Sequence, residues 1–207
     1  MEHYTHGDFC DLRHFIYSMM NLSDKLKRPG AKCIIGVTGK SGSGKTTFVN
    51  ELFDSLDYFF PNIFKINNIN FDEIAHLVLE AKRGVLLETF GFDVVKDRRK
   101  LADLVFNSRH EMKKLNDVVW DEMQRITDEK IKEADGAHVL ILDWILLPHA
   151  KKYWDICDIT VLIDAPYEIR KQRAIERDKL TSEEFDARER NSIEYDKASM
   201  DFVFDKD

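Results

Sequence analysis

Lys32-Cys-Ile-Ile-Gly-Val-Thr38, running directly into Gly39-Lys-Ser-Gly-Ser-Gly-Lys45-Thr46-Thr47, decides the fold. The first seven residues are a short apolar run of the kind that makes a strand buried on both faces. The stretch from Gly39 matches G-x-x-x-x-G-K-[ST] at every fixed position. From Lys45 to Leu56 the chain puts Phe48, Val49, Leu52, Phe53 and Leu56 on one face of a helix. In a strand, glycine-rich turn and helix so ordered, backbone N–H groups turn inward around an anionic phosphate. The helix N-terminus adds its dipole and its free amides. Gly39, Lys40, Ser41, Gly42, Ser43, Gly44, Lys45, Thr46 and Thr47 are therefore the candidate nucleotide-binding residues. Lys45 is expected to reach the β- and γ-phosphates, and the Thr46 hydroxyl to hold Mg²⁺. The pattern implies ATP or another nucleoside triphosphate; it does not specify a reaction.

Working outward, further strands are expected over Asn62–Ile66, Ala137–Leu142 and Ile159–Ile163. Helices are expected over Asp72–Lys82, Asp97–Phe106 and Arg109–Ala134, from Pro166 past Arg177, and from Ser182 to about Tyr195. Strands that alternate with helices predict an α/β fold, a parallel β-sheet flanked by helices. Residues 1–30 read as an N-terminal extension and residues 31–207 as one P-loop domain. The extension holds His3, His6 and His14, and is read as partly helical rather than as a metal site. Its Phe9, Leu12, Phe15, Ile16 and Met19 recur at near-helical spacing, so this helix is expected to pack on something.

Composition narrows the class. The chain has 207 residues, 43% of them hydrophobic, enough for a sizeable core. Its 38 acids against 31 bases give a net charge of -7, which argues against bulk binding of nucleic acid, because phosphate neutralisation needs a surplus of clustered Lys and Arg. Cys10, Cys33 and Cys157 are too scattered for a zinc site or a disulfide framework and are expected as reduced thiols of a cytoplasmic protein. No apolar run reaches the ~18–20 residues of a membrane span. No signal peptide is expected, because Glu2, Asp8 and Asp11 precede any apolar stretch. Oligomeric state is not readable.

Four side chains outside the loop carry candidate chemistry. Asp143 ends the Val139–Leu142 run, where an acid orients the water shell of Mg²⁺; the plain alternative is a strand-end turn. Arg173 and Arg177 stand one helical turn apart, a pair suited to closing over a transferring phosphate, or else to a solvated charged face. Asp72 opens a helix after a strand. It fits a general base for an acceptor hydroxyl and equally a helix N-cap. No N-K-x-D guanine-reading segment is present, which argues against a GTPase.

These residues resemble the dephospho-coenzyme A kinases, from about Cys33 to Val203. Asn70-Phe-Asp72-Glu-Ile-Ala-His76 is similar to the family's D-x-D-x-I-A-[HR] segment. Asp97-Arg-Arg-Lys-Leu101 to Phe106 resembles its D-R-x-x-L…[IV]-F helix, and Lys114-Leu-Asn116 its L-N element. Val139–Leu147 looks like the strand ending in D-x-P-L-L, Arg173 with Arg177-Asp178 like the lid, and Asp201-Phe-Val203 like the A-D-F-V ending. The resemblance implies that residues 31–207 form a P-loop kinase domain, with acceptor-binding helices over about 72–134 and a short lid over about 170–195. It implies transfer of the γ-phosphate of ATP to the ribose 3′-hydroxyl of dephospho-CoA, with Asp72 as base and Arg173 or Arg177 as lid arginine. The chain departs from the pattern at Asn70, at Ile145 in place of proline, at Trp120-Asp121 in place of His-Pro, at His149, and at Lys40 in place of glycine. It stops at Asp207, where the family continues into a last helix. Two alternatives stay open. S-G-S-G-K-T-T is also similar to the loop of uridine kinases, and the edited acceptor segments fit a nucleotide-binding regulator that no longer phosphorylates.

Overall fold

The computed structural model describes residues 2–5, 15–16, 33–59, 61 and 64–205. Its six-stranded sheet runs in the order β1-β6-β5-β2-β4-β3. The strands are β1 Glu2–Thr5, β2 Cys33–Thr38, β3 Ile66–Asn70, β4 Val139–Asp143, β5 Ile159–Asp164 and β6 Phe202–Asp205. β2 lies between β4 and β5, parallel to both, and the β5–β6 and β1–β6 pairs are parallel as well. Every residue of β4 is buried, as is all of β5 but its last. That burial explains why both read as unbroken apolar runs. The expected parallel sheet with its helices is what forms.

Side chains on the two faces of the strands build two cores. On one face Cys33, Ile35 and Val37 of β2, Ile141 of β4 and Phe202 and Phe204 of β6 meet Phe48, Val49, Leu52 and Leu56 of α1, Lys45–Phe59. Phe15 and Ile16 join this core. The Phe15 ring sits edge-on to Phe202 at 4.9 Å, to Phe204 at 5.6 Å and to Phe48 at 5.9 Å. The apolar residues expected on the N-terminal helix thus do pack, at the two described positions. Glu2–Thr5, however, is an edge strand paired with β6. Phe9, Leu12, Met19, Cys10, His6 and His14 lie outside the described residues. On the opposite face Leu162 and Val203 pack with Met200, Trp154 and Tyr195.

The chain divides into two compact units. The first holds the sheet: residues 1–69, 134–179 and 193–207. The second, residues 70–133 and 180–192, is helical. Its α2 Phe71–Ala81, α3 Arg83–Phe90 and α4 Arg98–Asn107 pack against the long α5 Arg109–Glu133. Arg83 donates Nε to Asp93 Oδ1 at 3.1 Å, tying the start of α3 to the turn that follows it. α6 Lys151–Trp154 and α7 Tyr167–Asp178 belong to the first unit, and α8 Ser182–Arg190 to the second. α8 docks on α4 through Arg99–Glu184 and through Asn191 Nδ2 on the Phe106 carbonyl at 2.6 Å.

Several expected boundaries move. The second strand forms at Ile66–Asn70 rather than Asn62–Ile66. Only Ile69 of its five residues is buried, so an Ile-Asn-Asn-Ile-Asn edge strand gives no apolar signal. The last helix ends at Arg190 rather than near Tyr195. Its start is as expected: Thr181 and Glu184 form a capping box. Cys33 and Cys157 are free thiols. Burial pushes Cys157 up to about 12, so it stays protonated and unreactive. Among the described residues no helix is long and apolar enough to cross a membrane.

Candidate active site

The phosphate loop spans the end of β2 and the start of α1, and its turn is tight because of its neighbours. Gly39 has φ +151°, and a Cβ there would lie 2.2 Å from the Ile163 carbonyl oxygen of β5 and 2.7 Å from Ser43 Oγ. Gly42 has φ +78°, and a Cβ there would lie 2.3 Å from the Arg170 carbonyl oxygen of α7. Backbone therefore closes on backbone, and only glycine fits either position. Phe48 N–H bonds Gly44 O at 3.0 Å, so helical bonding starts at the end of the loop and leaves the first amides of α1 to turn toward an anion, while Ser43 N–H closes the turn on Lys40 O at 3.2 Å.

Two observations fit a phosphate group here. Ser43 Oγ is buried and has no hydrogen-bond partner, the one side-chain polar atom in that state among the described residues. A buried hydroxyl without a partner is costly, and an anion within the loop offers it one. Lys45 donates Nζ to the Gly39 carbonyl at 2.8 Å, bridging the two ends of the loop over the space a phosphate would fill.

The residues for Mg²⁺ fit as well. Asp143, buried at 5% exposure, ends β4 and pairs in register with Val37 of β2, two residues before Gly39. Trp144 N–H then bonds Val37 O at 3.1 Å, locking the end of β4 beside the loop. Thr46 is exposed on the first turn of α1. Among the described residues no cluster of three metal-ligating side chains exists. A hydroxyl and one carboxylate suit Mg²⁺, which keeps waters and borrows phosphate oxygens instead of filling a protein cage.

The arginines divide. Arg177 sits on α7 with Nη2 3.5 Å from Ser41 Oγ and its guanidinium paired to Asp178 through Nε at 2.7 Å. Arg173, one turn earlier on the same helix, is half-buried. Arg170 is buried and donates Nε to Ala165 O at 3.0 Å, a structural role. The loop, Asp143, Arg173 and Arg177 thus all belong to one unit. At the C-terminal ends of β5 and β6, Lys197 Nζ meets Asp164 Oδ2 at 2.6 Å and Asp205 Oδ1 at 3.4 Å, balancing two acids near an anion site.

Asp72 belongs to the helical unit. The N-cap of α2 is Asn70, whose Oδ1 accepts from Asp72 N at 2.8 Å and Glu73 N at 3.3 Å. Asp72 is not the cap. It is exposed in the first turn of the helix. His76 and His149 are exposed, and Trp120 is half-buried on α5. The sequence reading missed Glu194 and Tyr195. Lys40 Nζ bonds Glu194 Oε1 at 2.7 Å, and Tyr195 donates its hydroxyl to Ile145 O at 2.8 Å. No motif marks either residue.

A parallel sheet with a phosphate loop after its central strand and an acid ending the neighbouring strand defines a P-loop kinase-type nucleotide-binding protein. The model of the dephospho-CoA kinase family matches residues 33–206. The chain belongs to that family of ATP-dependent phosphotransferases. A dephospho-CoA kinase of Aquifex aeolicus is 30% identical over 178 residues, covering 83% of this chain and 87% of the relative. A uridine kinase of Limosilactobacillus reuteri is 31% identical over 153 residues, covering 73% of this chain and 66% of that protein's length. The crystal structure of TT1252 from Thermus thermophilus superposes with a TM-score of 0.66 at 31% identity, over 84% of this chain and 88% of that one.

Proposed function

We propose that this protein transfers the γ-phosphate of ATP to the ribose 3′-hydroxyl of dephospho-CoA, giving coenzyme A, in the cytoplasm. The observation that carries the reading is the family match over residues 33–206, which takes in both the phosphate loop and the Asp72 segment. In this reading the loop amides and Lys45 hold the β- and γ-phosphates. Mg²⁺, held by Thr46 and Asp143, supplies positive charge to the phosphate oxygens. Asp72 orients the acceptor hydroxyl and takes its proton, which fits a carboxylate that the cap leaves unengaged. Arg173 and Arg177 neutralise charge on the three equatorial oxygens of a loose transition state. Little covalent chemistry is asked of the protein, so positioning and charge supply the acceleration.

The uridine kinase likeness favours a second reading, phosphorylation of a nucleoside. One experiment separates the two. ATP and Mg²⁺ are offered with dephospho-CoA, uridine, cytidine or adenosine, and product mass is read. A gain of one phosphate on dephospho-CoA alone supports the proposal. Transfer to a nucleoside supports the second reading. MgATP binding without transfer to any acceptor points to a regulator.

A further inference from the structure

Lys40 and Ile145 are two positions at which the chain departs from the family pattern, and in the structure adjacent residues grip both. Glu194 Oε1 takes the Lys40 ammonium at 2.7 Å. Tyr195 donates its hydroxyl to the Ile145 carbonyl at 2.8 Å. The Thr38 hydroxyl converges on the same carbonyl, donating to Ile145 O at 3.2 Å and to Trp144 O at 2.9 Å. Two consecutive residues therefore hold position 40 on one side and position 145 on the other. The first lies in the phosphate loop, and the second in the turn just beyond Asp143. Burial pushes the Tyr195 phenol up to about 12, so it remains a neutral donor at all working pH values. Its ring packs with Leu162, Met200 and Val203 under the sheet, which fixes the direction of the hydroxyl. The Lys40 side chain is 13% exposed and that of Glu194 88% exposed, so the second contact holds an otherwise covered cation from the solvent side.

We propose that Tyr195 is a positioning residue for nucleotide binding: it holds the turn behind Asp143, and the adjacent Glu194 holds the phosphate loop through Lys40, so that the pair ties one to the other. The loop amides and the carboxylate must address one MgATP together, and a tie between their supports sets that spacing. The proposal rests on the reading that this loop binds ATP. It goes beyond that reading by assigning a role to residues that no loop pattern contains.

The test is calorimetric binding of MgATP to the full chain, with steady-state kinetics and thermal melting of the same samples. Tyr195→Phe removes one hydroxyl and no packing. It is expected to raise the MgATP Kd about five-fold, the worth of one net hydrogen bond. In turnover the loss is expected in KM for MgATP rather than in kcat or in KM for the acceptor. Glu194→Gln is expected to shift the MgATP Kd in the Lys40 protein and to shift nothing in a Lys40→Gly background, because the tie needs both partners. An unchanged MgATP Kd in Tyr195→Phe would overturn the proposal, with or without a lower melting temperature. Equal effects of Glu194→Gln in both backgrounds would overturn the Lys40 tie. If the parent protein phosphorylates no acceptor and Tyr195→Phe still weakens MgATP binding, the acceptor reading falls and the positioning role stands.

Discussion

Replacing Gly42 by alanine puts a methyl group where the structure has a carbonyl. The added Cβ would lie 2.3 Å from Arg170 O and 3.0 Å from Arg170 C and Cα, all backbone atoms of α7. Ordinary contact begins at 3.4 Å, so the loop and the start of α7 must separate by about 1 Å. Arg170 cannot yield easily, being buried and anchored through Nε to Ala165 O. The φ of +78° adds about 1–2 kcal/mol for a residue with a Cβ. For a chain of this size that strain lowers the melting temperature by roughly 2–8 °C. A displacement near 1 Å at a positioning loop costs about 10²-fold in rate. The assay is kcat/KM for MgATP in Gly42→Ala beside a thermal melt. The reasoning predicts losses in both. A variant that melts with the parent and binds MgATP equally well would refute the claim that Gly42 is required by its contact with Arg170.

Further outcomes follow from the same geometry. Asp72→Asn is expected to lower turnover by at least about 10²-fold while leaving MgATP affinity and melting temperature unchanged, since Asn70 holds the cap; a mild effect on turnover would remove Asp72 from the chemistry. Asn70→Ala, by contrast, is expected to cost about 1 kcal/mol of stability, and Asn70→Asp very little, read from urea midpoints. Lys45→Ala is expected to abolish ATP use, and retained turnover would remove the phosphate-loop assignment. Asp93 beside Arg83, and Glu184 bonded to the Thr181 backbone and Arg99, are held below their ordinary carboxyl values. Their folded forms bind protons less readily than the unfolded chain. Their stabilisation is therefore present above the ordinary values, 3.8 for Asp93 and 4.5 for Glu184, and is lost as pH falls from there through the lower values of the folded state. Urea midpoints measured downward from neutral pH should show that loss, and Glu184→Gln should make it smaller.

The parts of the fold readable in the sequence are those in which local pattern and tertiary burial agree. β2, β4 and β5 are apolar throughout because both their faces are covered, and α5 keeps a helical stripe across all of Arg109–Glu133. β3 begins four residues later than the apolar pattern predicts because Ile66–Asn70 is mostly polar and depends on its neighbour rather than on burial. β6 was recognised only as a motif ending, although Phe202 and Phe204 face one core and Val203 the other. α3, Arg83–Phe90, was missed: Val85 and Leu87 are exposed and only Leu86 is buried, so no apolar stripe announces it. At the site, the loop is legible because its glycines, Lys45 and Thr46 recur at fixed spacing within one short stretch, although the backbone that demands the glycines, at Ile163 and Arg170, lies far along the chain. The cap on α2 was not, since Asn70 and Asp72 are both good caps and only the bonding distinguishes them. Glu194 and Tyr195 were invisible because their partners lie 154 and 50 residues away in the chain.

The central claim is the acceptor and the position of the new phosphate. The most direct measurement is phosphorus and proton NMR of the product formed from ATP, Mg²⁺ and dephospho-CoA. A phosphate ester on the ribose 3′-oxygen, formed by the parent protein and at least about 10²-fold more slowly by Asp72→Asn, is the result the account predicts. Unchanged dephospho-CoA beside a phosphorylated nucleoside would contradict it.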